Sequence, residues 1–334
     1  MKVTILQKLP DDFFKATPNS LHQLIPDGTL ICLAGKKTKP LFLSCLLHGN
    51  ETSSFYSIQR LLKEFKELPR SLIIFFGNVS AAARGKRHLE NQPDYNRIWS
   101  GNNSIQEKMA QEVIGFAKKQ DLWASIDIHN NTGSNPYYAC INGRDRSSLA
   151  LASMFSNDII YFEEPHSVQA IAFTRLCTSV TLECGKSGDQ NGIDKIVAYL
   201  NQVLSLESFD HVELHTDQLT AFHTIAKIIL PKHLNVDFNF SSQANCHISF
   251  LADLDKYNFK SINQGTALAK VSQPDCFLKV YDNSERDVTA HYLEEKSGEI
   301  LVKKTFIPSM LTKDIFVAKD DCLGYIMQPI ELHL

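Results

Sequence analysis

Between residues 29 and 200, short uninterrupted apolar runs alternate with stretches whose apolar residues recur every three or four positions. The runs 41–47 (LFLSCLL), 72–76 (LIIFF), 123–128 (WASIDI) and 180–182, the last inside TSVTLECG, have strand length and read as buried strands. The stretches 53–65, 105–118, 147–155 and 193–206 read as helices; in the last, Ile193, Ile196, Val197, Leu200, Val203 and Leu204 share one face. Strands alternating with helices predict an α/β domain on a mixed, largely parallel sheet flanked by helices. The texture changes near residue 207. Short β-like runs at 224–230, 247–251, 277–281 and 299–302 predict a smaller β-rich domain over 208–334, after a first domain over 1–207. Within it, Asn263-Gln264-Gly265 reads as a hairpin turn.

Composition narrows the picture. A chain of 334 residues with 43% hydrophobic and 21% charged residues has ample material for a globular core. A formal net charge of -3 gives no broad cationic footprint, so nucleic acid is not the expected partner. No stretch approaches the roughly 20 apolar residues of a membrane span, and MKVTILQKLPDDFF does not read as a signal peptide, so a cytoplasmic address is expected. A homo-oligomer is compatible with all of this. None of the eight Cys forms a CxxC pair, and several lie inside apolar runs. Any metal therefore falls to His and carboxylate.

The candidate chemistry gathers at strand ends. His48-Gly49-Asn50-Glu51 follows the run 41–47, and loops leaving the C-terminal ends of strands are where α/β domains build sites. His48 and Glu51, with a second His, make a familiar catalytic zinc set that leaves a position open for water. His129 ends the strand 123–128, and Asp127, two residues back on the same face, is placed to orient its imidazole. Glu183 closes the apolar run of VTLECG; a carboxylate there fits a general base that takes a proton from water and returns it to a leaving amine. The basic, turn-rich segment 78–99 presents Arg and Asn residues near the same sheet edge, where guanidinium groups suit a carboxylate or a developing oxyanion. A second His-x-x-Glu match, His291 to Glu294, has no strand before it and reads as a surface pair.

In this order, His48-Gly-Asn-Glu51, Asn78…Gly-Lys-Arg87…Asp94-Tyr-Asn96-Arg97, Asp127-Ile-His129 and Thr181-Leu-Glu183-Cys-Gly-Lys186 resemble the succinylglutamate desuccinylases and aspartoacylases, relatives of the zinc carboxypeptidases. The resemblance covers most of residues 41–200. It implies a carboxypeptidase-like fold, one zinc held by His48, Glu51 and His129, and Glu183 as the carboxylate that activates a zinc-bound water. It implies further that Arg87 polarises the scissile carbonyl, that Asn96 and Arg97 grip a substrate carboxylate, and that the β-rich domain shapes the pocket. His88 stands where the family commonly has Tyr, Arg175 lies near but not at the spacing of an aspartoacylase Arg, and Phe316 is the nearest counterpart of a C-terminal Tyr. The expected reaction is hydrolysis of the amide bond of a small N-acyl amino acid. The alternatives are a carboxypeptidase acting on short peptides and a non-catalytic zinc-pocket binding protein.

Overall fold

A computed structural model describes residues 2–241 and 246–332, which fall into two compact units. The first runs to Asn130 and resumes over Tyr137–Ala221; the second takes Asn131–Pro136 and Phe222–Glu331.

The first unit is α/β. Its strands are β1 (Thr4–Leu6), β2 (Thr29–Leu33), β3 (Gly35–Cys45), β4 (Leu68–Phe76), β5 (Ala124–His129), β6 (Tyr138–Ile141), β7 (Asp158–Tyr161) and β8 (Thr178–Glu183), ordered β1-β2-β4-β3-β5-β8-β6-β7. The central pairs β4–β3, β3–β5 and β5–β8 are parallel; β2 joins antiparallel to β4, and β6 to β8. Its helices are α1 (Ser53–Glu64), α2 (Val79–Ala82), α3 (Ile105–Ala117), α4 (Arg146–Ser153), α5 (Gln169–Phe173) and α6 (Gln190–Ser205). Each helix expected from the 3.6-residue spacing is present, and the predicted stripe of α6 is buried throughout.

One face of the sheet is apolar. Leu41, Leu43, Ile126, Ile128, Val180 and Leu182 pack with residues of α1, α4 and α6 in a single core. Fully burying side chains of this size contributes about 1.5–3 kcal/mol each. On the other face Phe42 and Phe75 join Trp99, Met109, Val113 and Phe173 in a second core. Next to that core the face turns polar: β5 presents Ser125, Asp127 and His129, in register with Ser179, Thr181 and Glu183 of β8.

The second unit is β-rich. Strand β9 (Thr220–Ile229) starts at the boundary, and β10 (Val236–Asp237), β11 (Ile248–Phe250), β12 (Ala267–Val271), β13 (Lys279–Asp282), β14 (Leu293–Lys296), β15 (Glu299–Val302), β16 (Ile307–Ser309) and β17 (Gly324–Pro329) follow. β10, β11, β12, β15 and β14 form one sheet; β9 pairs antiparallel with β13 and β17, and β17 with β16. Ile228, Ile248, Phe250, Ala269, Ile300 and Val302 belong to a core of this unit's own. Asn263–Thr266 is a turn, closed by the Thr266 N–H on the Asn263 carbonyl, with Gly265 at φ +85°. It is not a hairpin, because β12 after it pairs with β15 while Ile262 before it bridges to Phe306. A tight turn fixes local geometry, not which strand lies alongside.

Candidate metal centre

Four chain segments meet at the same place. Leaving β3, the chain turns through Leu46, whose φ of +55° is the left-handed conformation a side chain rarely adopts. The Gly49 N–H then bonds the Arg87 carbonyl at 3.0 Å. A Cβ at Gly49 would collide with the backbone of Ala81 and Ala82, so the His48-Gly-Asn-Glu51 motif needs glycine there for close approach. Segment 78–99 leaves β4 through α2, whose first turn is capped by the Asn78 side chain on the Ala81 N–H. Strand β5 delivers His129 and β8 delivers Glu183, paired across the parallel ladder.

Glu51 lies between two imidazoles. His48 Nδ1 is 2.8 Å from Glu51 Oε1, and His129 Nδ1 is 2.8 Å from Glu51 Oε2. One ligand atom from each of the three residues lies within 4.8 Å of the others, and all three residues are buried. Each ring's other nitrogen faces its own carboxylate: His48 Nε2 is 2.8 Å from Asp94 Oδ1, and His129 Nε2 is 2.9 Å from Asp127 Oδ2. Those carboxylates fix the tautomers, since Nε2–H is the only donor a neutral ring can offer them. In rings left neutral, both Nδ1 lone pairs then point at Glu51 oxygens, acceptor against acceptor. A cation between them removes the repulsion, and two imidazole nitrogens plus a carboxylate oxygen is a donor set that suits a divalent zinc ion. These residues fit the metal.

Without a metal, a proton on the His129 ring relieves that clash in the same way. Burial alone would lower the His129 pKa, but Asp127 and Glu51 outweigh it and hold it well above the ordinary value. Burial works against ionised Glu51 as well, and the two imidazoles reverse that, pulling it well below the usual carboxylate range. Asp94 is held low in the same way by His48 and Arg87.

Arg87 donates through Nε (3.1 Å) and an Nη (2.7 Å) to Asp94 Oδ2, and its other Nη is 3.7 Å from Glu51 Oε1. Its charge is thus pinned beside the metal-ligand cluster. Asn96 is buried; its Oδ1 accepts the Gln169 N–H, and its Nδ2 stands 3.3 Å from His129 Nε2. Arg97 is partly exposed and donates to the Asn96 carbonyl at 3.0 Å. Asp127 is almost fully buried beneath His129. His291 and Glu294 are both exposed, and Phe316 is exposed in the second unit. His88 Nδ1 lies 3.1 Å from the Leu89 carbonyl oxygen.

Two contributors were not assigned from sequence. Asp94 joins His48 to Arg87, and its Oδ1 also accepts the Asn96 N–H at 2.7 Å. Asn130 gives its backbone N–H to Glu51 Oε2 at 3.0 Å, and its side chain bonds Ser53 and the Gly185 carbonyl. Asp94 had a visible signal, as the acidic residue opening Asp-Tyr-Asn-Arg; Asn130 had only its place after His129.

The family model described as the succinylglutamate desuccinylase/aspartoacylase catalytic domain matches residues 37–209. The succinylglutamate desuccinylase of Pseudomonas putida is 27% identical over 259 residues, covering 69% of this chain and 72% of its own. Among solved structures, the succinylglutamate desuccinylase of Chromobacterium violaceum superposes with a TM-score of 0.58 at 18% identity, over 89% of this chain and 87% of its own. Murine aminoacylase 3 does so with a TM-score of 0.55 at 15% identity, over 89% and 97%. At these identities the structures speak for the fold.

Proposed function

This chain belongs to the succinylglutamate desuccinylase/aspartoacylase family, and from that premise we propose that it is a zinc-dependent hydrolase cleaving the amide bond of a small, carboxylate-bearing N-acyl amino acid. The observation that carries the reading is the pair of imidazoles converging on Glu51, each oriented from behind by its own carboxylate.

His48, Glu51 and His129 would hold the zinc, which when bound polarises a carbonyl and acidifies water. Asp94 and Asp127 keep the two Nε2 protons in place, so both Nδ1 atoms stay available as ligands. Glu183, level with His129 at the end of β8, is proposed as the general base that takes a proton from the attacking water and passes it to the departing amine. Arg87, held by Asp94 with an Nη 3.7 Å from Glu51, presents positive charge where the scissile oxygen gathers negative charge. Arg97 supplies a guanidinium for the substrate's carboxylate, and Asn96 a polar neighbour. The relatives' desuccinylase and aminoacylase names support this substrate class.

The test measures bound metal in the purified wild-type protein and amine release from a panel of N-acyl amino acids, with Glu183→Gln alongside. Near-stoichiometric zinc, turnover of one panel member and a loss of at least 100-fold in the variant are expected, in line with the usual contribution of general acid–base catalysis. Zinc without turnover on any panel member or short peptide would leave a binding protein, and failure to take up any divalent metal would end the proposal.

A further inference from the structure

Strand β5 lies between two parallel partners and β8 between parallel β5 and antiparallel β6, inside the sheet, where both faces are normally covered and sequences run continuously apolar. Here each alternates, ASIDIH and TSVTLE, and the polar positions share the face that bears His129 and Glu183. Ser44 of β3 joins that face as the register neighbour of Asp127. Gln169 of α5 lies against it, donating from Nε2 to Ser125 Oγ at 3.0 Å. Ser44, Ser125 and Gln169 are 0% exposed, and Asp127 and Ser179 are 1% exposed.

Counting hydrogen bonds leaves a remainder. Asp127 Oδ2 accepts from His129, and Gln169 Nε2 is used by Ser125. Ser44 Oγ, Ser179 Oγ, Asp127 Oδ1 and Gln169 Oε1 are buried with no protein partner. Two are hydroxyl donors and two are acceptors, and they fall into neighbouring sets: Ser44 beside Asp127, and Ser179 beside the Ser125 that Gln169 contacts. Buried polar atoms are nearly always satisfied, by protein or by ordered water, and water settles where two to four such atoms converge. A carboxyl oxygen buried without a partner is costly to leave dry.

We propose that this face is a binding site for ordered internal water, one molecule bridging Ser44 Oγ and Asp127 Oδ1 and another bridging Ser179 Oγ and Gln169 Oε1. Ser44 is thereby a positioning residue for the metal centre. His129 holds one oxygen of Asp127, and the water on Ser44 holds the other, so the carboxylate cannot turn about its own axis. The His129 ring, fixed at Nε2 by that carboxylate, keeps Nδ1 aimed at Glu51. The alternating pattern of β5 and β8 is then explained by water beneath the site as well as by ligands above it.

The test combines crystal structures of the metal-free wild type, Ser44→Ala and Ser44→Thr with zinc affinity measured by chelator competition. The wild type is expected to show a water within hydrogen-bond distance of both Ser44 Oγ and Asp127 Oδ1. Ser44→Ala loses it, the His129 ring turns, and zinc binds about tenfold more weakly, as when other outer partners of metal-bound histidines are removed. Ser44→Thr, which keeps the hydroxyl, retains the water and the affinity. A dry face, Ser44 bonded directly to Asp127, or Ser44→Ala binding zinc as the wild type does would overturn the proposal. The affinity arm rests on the zinc reading above. The water and the ring orientation are read without metal, so a wild type that takes up no zinc sinks that reading while the crystals still decide this one.

Discussion

Each imidazole of the candidate metal centre has a separate carboxylate behind it, and the two carboxylates differ in what else they do. Asp127 serves His129, whereas Asp94 serves His48 and also pins Arg87. Asp127→Asn is therefore expected to weaken zinc binding by about 10- to 100-fold. Asp94→Asn should do the same and in addition lower the turnover of zinc-saturated enzyme, because Arg87 loses its anchor. Chelator competition followed by assays at saturating zinc separates the two effects; equal turnover in both variants would count against Arg87 at the reacting carbonyl. The raised pKa of His129 sets a pH dependence. In metal-free protein the charged ring, flanked by Asp127 and Glu51, contributes stability in full below its unfolded pKa of about 6.5. That contribution disappears as pH rises through the higher folded value. On the proposed reading zinc would take the place of the Nδ1 proton, so its binding would release protons and tighten as pH rises. The gain in melting temperature on adding zinc should grow between roughly pH 6 and pH 8. A gain that shrinks over that interval would place the metal elsewhere than on His129.

At the scale of elements, the site depends on how three loops are tied together. Asn130 accepts the Ser53 N–H at the start of α1, donates to the Gly185 carbonyl just past β8, and gives its own N–H to Glu51. Asn130→Ala strands a buried donor and a buried acceptor, costing on the order of 1–3 kcal/mol for each. A lower urea midpoint together with weaker zinc binding is the expected result; an unchanged midpoint would show that the loops hold without it. Asn130 also marks the limit of what the sequence discloses. The long apolar runs and the 3.6-residue stripes were legible because burial on a sheet or helix imposes a period, so β3, β4, β5, β8, α1, α3, α4 and α6 could be located from it. β6 has four residues and α5 five, too few for a period to show, and β2 takes its direction from β4, a partner distant in sequence. His48, His129 and Glu183 could be picked out because each ends an apolar run, and Glu51 because it stands three residues after His48. Asp94 stands in a visible motif, but its contact with His48 spans 46 residues and that of Asn130 with Glu51 spans 79, and local composition does not name such partners.

For the whole molecule, what matters is how far the influence of a bound metal would extend. Every side chain assigned to the centre comes from the first unit, while the second unit has its own core, including Ile248, Phe250, Ala269 and Ile300. A ligand stabilises what it binds by mass action, about 4 kcal/mol at a thousand times its dissociation constant. That stabilisation should fall on the segments that must stay folded for the ligands to converge. Removing zinc with a chelator is therefore expected to speed amide exchange in residues 46–51, in the ends of β5 and β8, and around Asn96, whereas β12 and β15 exchange as before. Hydrogen exchange followed by mass spectrometry reads both sets in one experiment. Faster exchange confined to the first unit would make the centre a local clamp on loops that an existing sheet already positions. Equal acceleration in β12 and β15 would mean instead that the two cores open as one cooperative unit, and the metal would then be a determinant of the fold as well as of the chemistry.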